Sequence, residues 1–357
     1  MKTIFLGFNI ANSSVSDFFL ELANQLSVEY NVVIISNKFP PEKFDIAPQV
    51  IILHWPSGKL KSYKSYKFLF KKILKYRPIT LVSVFGAVNP FLILGFFLGV
   101  KNRIAWCRSI SKQFEVKNWV LKRKKIIYEL ATVLYANSIA TKLDLIENYK
   151  VRERKIEVFY NAVKSSETVK TETQTNKIIY VGRMSPSKGV DTLLNAMPLI
   201  LSRFPDLKLQ LIGGKIEGEE IAEYLKKCKS LKITSSISFV GNKSKEIVLN
   251  EFSSAYLTVV PSIVEAFGFV VIESFSVKTP VIGSNTSGIA EIIRDGKDGL
   301  LFEPQNPSDL AKKIIYLLEN KKMRDIFSQN CYLRFKNEFE LNKAVSRLKH
   351  KLVQMDI

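Results

Sequence analysis

Four side chains in the second half of the chain could do chemistry together: Arg183, Lys188, Glu265 and Glu273. Arg183 and Lys188 lie in the loop Gly182-Arg-Met-Ser-Pro-Ser-Lys-Gly189, which follows the apolar run Lys177-Ile-Ile-Tyr-Val181 and precedes an amphipathic stretch. A strand, a loop and a helix in that order put both cations at the carboxyl end of an open α/β sheet, where such sheets bind ligands. A guanidinium holds phosphate through two parallel hydrogen bonds, and an ammonium neutralises its second charge. Glu265 sits in the turn after Ala255-Tyr-Leu-Thr-Val-Val260, a β-branched, apolar strand candidate. Glu273 follows inside a helix expected over 268–277, which Thr279-Pro280 stops. The start of that helix offers free backbone N–H groups and partial positive charge to an anion. Two acids beside it can accept hydrogen bonds from hydroxyls. Phosphates flanked by a hexose and a ribose, as in a sugar nucleotide, present that combination. Taken singly, each residue reads as a solvated charge or a capping acid. Only the combination carries chemistry.

The elements that must position these residues come from two α/β runs. A chain of 357 residues exceeds one typical domain, so two domains sharing a cleft are expected. In the first half, strand candidates Thr3–Phe8, Val32–Ser36, Val50–Leu53, Thr80–Phe85, Arg103–Trp106, Leu134–Asn137 and Ile156–Phe159 alternate with helical runs such as Val15–Leu26. That alternation predicts a parallel sheet covered on both faces. Residues 166–176, rich in Ser and Thr, read as a linker between a first domain over 1–165 and a second over 177–335. The alternation restarts with strands Lys177–Val181, Leu207–Ile212, Ile237–Val240, Ala255–Val260 and Val281–Gly283; Arg294 to Phe302 reads as turn-rich. Residues 336–357 read as a charged helical segment that could pack back on the first domain.

Composition excludes several classes. With 46% hydrophobic residues the chain is not disordered. Cys107, Cys228 and Cys331 are odd in number and scattered, and His54 and His350 are the two histidines. Neither set makes a zinc or disulfide pattern, which points to a reducing cytoplasm and to no metal site. No Gly-x4-Gly-Lys-Ser/Thr follows a strand, which argues against a nucleoside triphosphatase. Residues 79–100 carry no charge and are long enough to span a bilayer, but Asn89-Pro90 divides them into a strand and a proline-opened helix.

Here the residues reach a resemblance. Val181-Gly-Arg-Met-Ser-Pro-Ser-Lys-Gly-Val-Asp191, Val260-Pro-Ser-Ile-Val-Glu-Ala-Phe-Gly-Phe-Val-Val-Ile-Glu273, Thr279-Pro-Val-Ile-Gly283 and Gly299-Leu-Leu-Phe302 stand in one order. Together they resemble the nucleotide-sugar domain of retaining glycosyltransferases of family 4, glycosyl transferases group 1. The resemblance implies the GT-B fold, two Rossmann-like α/β domains facing a central cleft. It implies that Arg183 and Lys188 bind the donor diphosphate and that Glu265 holds sugar hydroxyls. Gly182, Ala266, Phe267, Gly268 and Phe269 would line the sugar–phosphate corner, Glu273 would bind the ribose, and Gly241-Asn242 would border the base. Glu265, Arg183 and Lys188 would be the catalytic set, with a UDP- or GDP-sugar as donor and neither metal nor other cofactor. The first half resembles the family in layout, with Val133-Leu-Tyr-Ala-Asn-Ser138 and Lys155-Ile-Glu-Val-Phe-Tyr-Asn-Ala162 matching its last strands and Asn161 at the usual Asn. It departs in two places. The expected glycine-rich first loop reads Gly7-Phe-Asn-Ile-Ala-Asn-Ser13, and Arg103-Ile-Ala-Trp-Cys-Arg-Ser109 lacks the usual histidine. Asn9, Arg108 and Ser109 are therefore the acceptor-side candidates.

The net charge of +20 is uneven: residues 1–165 hold 26 Lys and Arg against 11 Asp and Glu. One patch runs from Lys59 to Arg77 among Tyr63, Tyr66, Phe68, Phe70 and Tyr76; another contains Lys122-Arg-Lys-Lys125 beside Trp119. Such patches suit an anionic bilayer; a solvated face or nucleic acid would use the same residue types, and nucleic acid is the less favoured partner. The expected protein is a cytoplasmic hexosyltransferase at the inner face of a bacterial membrane. It would use a carbohydrate or lipid-linked acceptor in surface-polysaccharide, lipopolysaccharide or glycolipid assembly. The alternatives are a non-catalytic protein of this fold that docks on anionic membrane or nucleic acid, and a sugar-nucleotide isomerase.

Overall fold

A computed structural model describes residues 1–38, 44–56, 62–114, 117–165, 173–215 and 218–355. Two compact units emerge, one of Met1–Lys164 with Glu340–Ile357 and one of Ser165–Phe339. The first holds strands β1 (Thr3–Gly7), β2 (Asn31–Ser36), β3 (Ile51–His54), β4 (Thr80–Val84), β5 (Asn102–Cys107), β6 (Val133–Ala136) and β7 (Ile156–Val158). They form one sheet in the order β3-β2-β1-β4-β5-β6-β7, every pairing parallel. Successive residues of a strand point to opposite faces, which sorts the core into two layers. Ile4, Leu6, Val32 and Trp106 face helices Ser14–Leu26 and Leu341–Gln354. Phe5, Val33 and Leu81 face helices Tyr63–Tyr76 and Val88–Phe97. The C-terminal helix thus belongs to the first unit, burying Leu341, Ala344, Val345, Leu348 and Leu352.

The second unit holds β8 (Gln174–Val181), β9 (Lys208–Ile212), β10 (Ile237–Gly241), β11 (Ala255–Val260), β12 (Val281–Ser284) and β13 (Gly299–Phe302). Their order is β10-β9-β8-β11-β12-β13, again all parallel. The strand order reverses between β8 and β11, and the helices leaving those two strands lie on opposite faces. Val190, Leu193 and Met197 pack with Ile178 and Tyr180, whereas Val270 and Val277 pack with Ile179 and Ile212. A crevice at the carboxyl end of such a reversal is the standard ligand position in open α/β sheets.

Three readings of the sequence change. Gly299–Phe302, read within a turn, is a strand paired to β12. The turn before it is tight because the buried Asp298 carboxylate accepts from the Arg294 N–H at 2.7 Å, and Asp295 accepts from the Leu301 N–H at 2.8 Å. A helix over Lys245–Ser254, which the residues did not suggest, is capped by Ser244. Residues 166–172 of the linker reading lie outside the described residues, and Gln174 to Asn176 already belong to β8. The uncharged stretch 79–100 divides into β4 and helix Val88–Phe97. Among the described residues no helix is long and apolar enough to cross a membrane.

Candidate functional site

β8 ends at Val181 and hands the chain to a loop held against the end of β11. The Ile263 N–H donates to the Ser187 carbonyl at 2.9 Å. Pro186–Lys188 makes one 3₁₀ turn, and Gly189 reverses it at φ 68°. A Cβ on Gly189 would lie 1.9 Å from the Pro261 carbonyl oxygen, so only glycine permits both the backbone conformation and the approach of the two loops. Stapled this way, the loops bring Lys188 and Glu265 together, and the Lys188 ammonium donates to Glu265 Oε2 in an ion pair. Their side chains are 19% and 16% exposed. The pair is partly withdrawn from water, which strengthens it relative to a surface pair.

The rest of the site follows the strand ends. Gly182 donates its N–H to the Ile212 carbonyl at 2.9 Å, and Gly213 donates to the Gly241 carbonyl at 2.9 Å, so the ends of β8, β9 and β10 are tied in a row. Arg183 is exposed, and its carbonyl accepts from the Tyr180 hydroxyl at 2.7 Å. Asn242 is exposed just past β10. Ala266 and Phe267 are buried, and Phe267 meets Phe269 edge-on at 5.9 Å. Gly268, at φ 107°, caps helix Phe269–Ser276. That helix start falls one residue later than the sequence reading, and Glu273 lies within the helix, half-buried. All eleven donor-side candidates therefore belong to this unit, most at the carboxyl ends of β8, β10 and β11. Among them Lys188 and Glu265 form an ion pair.

The braces of the Glu265 loop were missed in the sequence. The Gly288 N–H donates to the Glu265 carbonyl at 3.0 Å, the Thr286 hydroxyl donates to the Ile263 carbonyl at 3.0 Å, and the Ser284 hydroxyl donates to the Ser262 carbonyl. A Cβ on Gly288 would meet the Ala266 carbonyl oxygen at 2.5 Å. The signal was present in the polar run Ser284-Asn-Thr-Ser-Gly288 at a strand end, since hydroxyls there commonly bond to backbone.

In the first unit, Asn9 follows β1 and Arg108 and Ser109 follow β5, all at strand carboxyl ends, with Asn9 and Ser109 exposed. Asn9 also lines a small recess with Phe8, Trp55, Val84 and Phe85, and Phe85 is held at φ 53°. Arg108 lies over the Trp106 ring at 5.7 Å. Burial lowers its guanidinium to about 9, still charged at neutral pH. The loop beyond it is anchored by the buried Asp144, which accepts from the Ser111 N–H at 2.9 Å. Asn161 is buried, and its amide atoms have no hydrogen-bond partner among the described residues.

Comparison with known proteins decides the family of the second unit. Residues 164–334 match the sequence profile described as glycosyl transferases group 1. This segment is a glycosyl transferases group 1 domain. An uncharacterized glycosyltransferase of Methanocaldococcus jannaschii is 32% identical over 218 residues, covering 59% of each chain. The chain spans about half to three-fifths of the length of the curated relatives it matches. Among solved structures, a glycosyltransferase from Rickettsia africae superposes with a TM-score of 0.81 at 20% identity, covering 99% of this chain and 98% of that one. HepE of Anabaena, solved with UDP and glucose, superposes with a TM-score of 0.77 at 17% identity, covering 99% of each chain. The fold is accordingly that of the GT-B glycosyltransferases, and the group 1 domain carries the Lys188–Glu265 site.

Proposed function

We propose that this chain is a retaining glycosyltransferase that moves a hexose from a nucleoside diphosphate to a carbohydrate or lipid-linked acceptor hydroxyl. The observation that carries this reading is the Lys188–Glu265 pair, set at the strand-order reversal ahead of the N-terminus of the Gly268-capped helix. In use, Lys188 and Arg183 would take the diphosphate, Glu265 the sugar hydroxyls and Glu273 the ribose. The bond from the anomeric carbon to the phosphate oxygen breaks and a bond to the acceptor oxygen forms on the same face. The acceptor proton passes to the departing diphosphate, whose charge fixed cations and a helix terminus stabilise. No other cofactor enters. A UDP- or GDP-sugar is the donor class, and the UDP and glucose recorded with HepE support it by analogy of fold alone. Lys188→Ala and Glu265→Ala are each expected to cut transfer at least about tenfold in a protein that still folds. Near-normal turnover in either would remove the reading.

We also propose that the enzyme works at the cytoplasmic face of a membrane, in surface-polysaccharide or glycolipid assembly. Helices Tyr63–Tyr76, Val88–Phe97 and Asn118–Glu129 line one face of the first sheet, joined through Val88, Leu92, Ile127 and Tyr128 and through the Lys124 ammonium on the Asn89 side chain at 2.9 Å. Lys59 and Lys61 of the basic patch lie outside the described residues; Lys64, Lys67, Lys71 and Lys75 are on the first of these helices, exposed. On the same three helices Phe70, Leu74, Phe97, Trp119 and Ile126 are exposed to solvent. Exposed apolar side chains among cations fit an anionic lipid surface, with about 1 kcal/mol per cation near it.

A further inference from the structure

We infer that the Lys188–Glu265 pair distinguishes a diphosphate that still carries its sugar from one that has lost it, so that Glu265 promotes release of the spent nucleotide. The inference rests on the donor-site reading above. Both backbones are fixed by the Ser187–Ile263 and Glu265–Gly288 hydrogen bonds and by the approach of Gly189 to Pro261. The two long side chains are therefore always within reach, and in the free protein each satisfies the other. Breaking a largely desolvated pair is costly unless each partner is replaced.

A sugar nucleotide replaces both. Its phosphate oxygens take the Lys188 ammonium, and its sugar hydroxyls donate to the Glu265 carboxylate. A nucleoside diphosphate without its sugar replaces only one partner, and once the proton taken from the acceptor is lost to solvent it carries one more negative charge. Glu265 then faces an anion with no hydroxyl to accept from, and a partly buried carboxylate without a donor is unfavourable. Re-forming the pair with Lys188 relieves it and weakens the hold on the diphosphate. Glu265 thus grips the donor and opposes the product.

The test is calorimetric titration of the full chain, as wild type and Glu265→Gln, with inorganic pyrophosphate, UDP, GDP and ADP, alongside thermal unfolding. Glu265→Gln should bind pyrophosphate, and whichever nucleoside diphosphate the wild type binds best, at least about threefold more tightly. Its ligand-free midpoint should fall, and the ligands should raise that midpoint by more than they raise the wild type's. Equal or weaker binding in a folded Glu265→Gln overturns the inference. If the glutamine variant does not fold, Glu265→Asp, shorter by one methylene, should shift in the same direction. Lys188→Ala separates the two readings. Weakened diphosphate binding there, with none of the expected gain in Glu265→Gln, sinks the release role and leaves the donor site standing. Unchanged binding in Lys188→Ala removes the donor site and the inference with it.

Discussion

At the carboxyl end of the second sheet, each loop is tied to its neighbour: Gly182 to Ile212, Gly213 to Gly241, Ile263 to Ser187, Gly288 to Glu265. The same end of the first sheet has backbone ties of its own, Phe8 to Ile35, Trp55 to Ser36, Asn137 to Cys107 and Phe159 to Ala136, but differs in what stands above them. Asn9 and Ser109 stand exposed, Phe85 is held at positive φ with its ring largely in solvent, and beneath them the polar atoms of Trp106, Tyr135 and Asn161 are buried with no partner among the described residues. The contrast lies in the Glu265 loop, which Ile263 to Ser187 and Gly288 to Glu265 tie to the segments after two other strands. Under the proposed function, a diphosphate would need fixed charges at set positions, which short, glycine-dependent loops supply. The first unit, proposed to take the acceptor, departs from the pattern of the resemblance: its first loop reads Gly7-Phe-Asn-Ile-Ala-Asn-Ser13 and Arg103–Ser109 contains no histidine.

Two glycines sharpen this comparison, and they carry the largest expected effect. Gly189 and Gly99 have nearly the same φ, 68° and 67°, but a Cβ on Gly99 would meet nothing within 4 Å. Gly189→Ala should destabilise the second unit by about 3 kcal/mol and abolish donor-induced stabilisation, while Gly99→Ala should cost only about 1 kcal/mol. Thermal unfolding with and without UDP-sugar checks both; equal midpoints would break the claim that the Pro261 contact matters.

Arg108 gives the next effect. If the first unit takes the acceptor, Arg108→Gln should raise the acceptor KM by about tenfold and leave donor affinity unchanged. A rise in donor KM instead would erase the division of labour between the two units. The smallest effect belongs to the helices proposed to meet a lipid surface. Phe97→Ser with Trp119→Ser should weaken sedimentation with vesicles of anionic lipid by about threefold to tenfold with turnover on a soluble acceptor retained. Equal binding of the wild type to neutral and anionic vesicles would count against electrostatic docking.

Much of the fold was legible because buried parallel strands are continuous apolar runs and their helices are amphipathic. Twelve of the thirteen strands among the described residues were read to within a few residues; Gly299–Phe302 was not, because the Arg294–Gly299 turn chemistry dominates its local pattern. The helix over Lys245–Ser254 escaped because its apolar positions are few and partly exposed. The donor-side candidates were legible as residue types, most of them at strand ends.

By itself the sequence determined the two α/β runs, the basic first half, and the placing of Arg183, Lys188, Glu265 and Glu273 at turns after strands and in a helix. Local propensity and hydrophobic period carry that much, since they act over a few residues. Only the tertiary structure decided that Lys188 and Glu265, 77 positions apart, are partners, that Gly189 must be glycine because of Pro261, and that Leu341–Gln354 completes the first unit. Those facts depend on which strand lies beside which. Strand order is chosen by the summed burial of both faces of a sheet, and no local window of residues contains it.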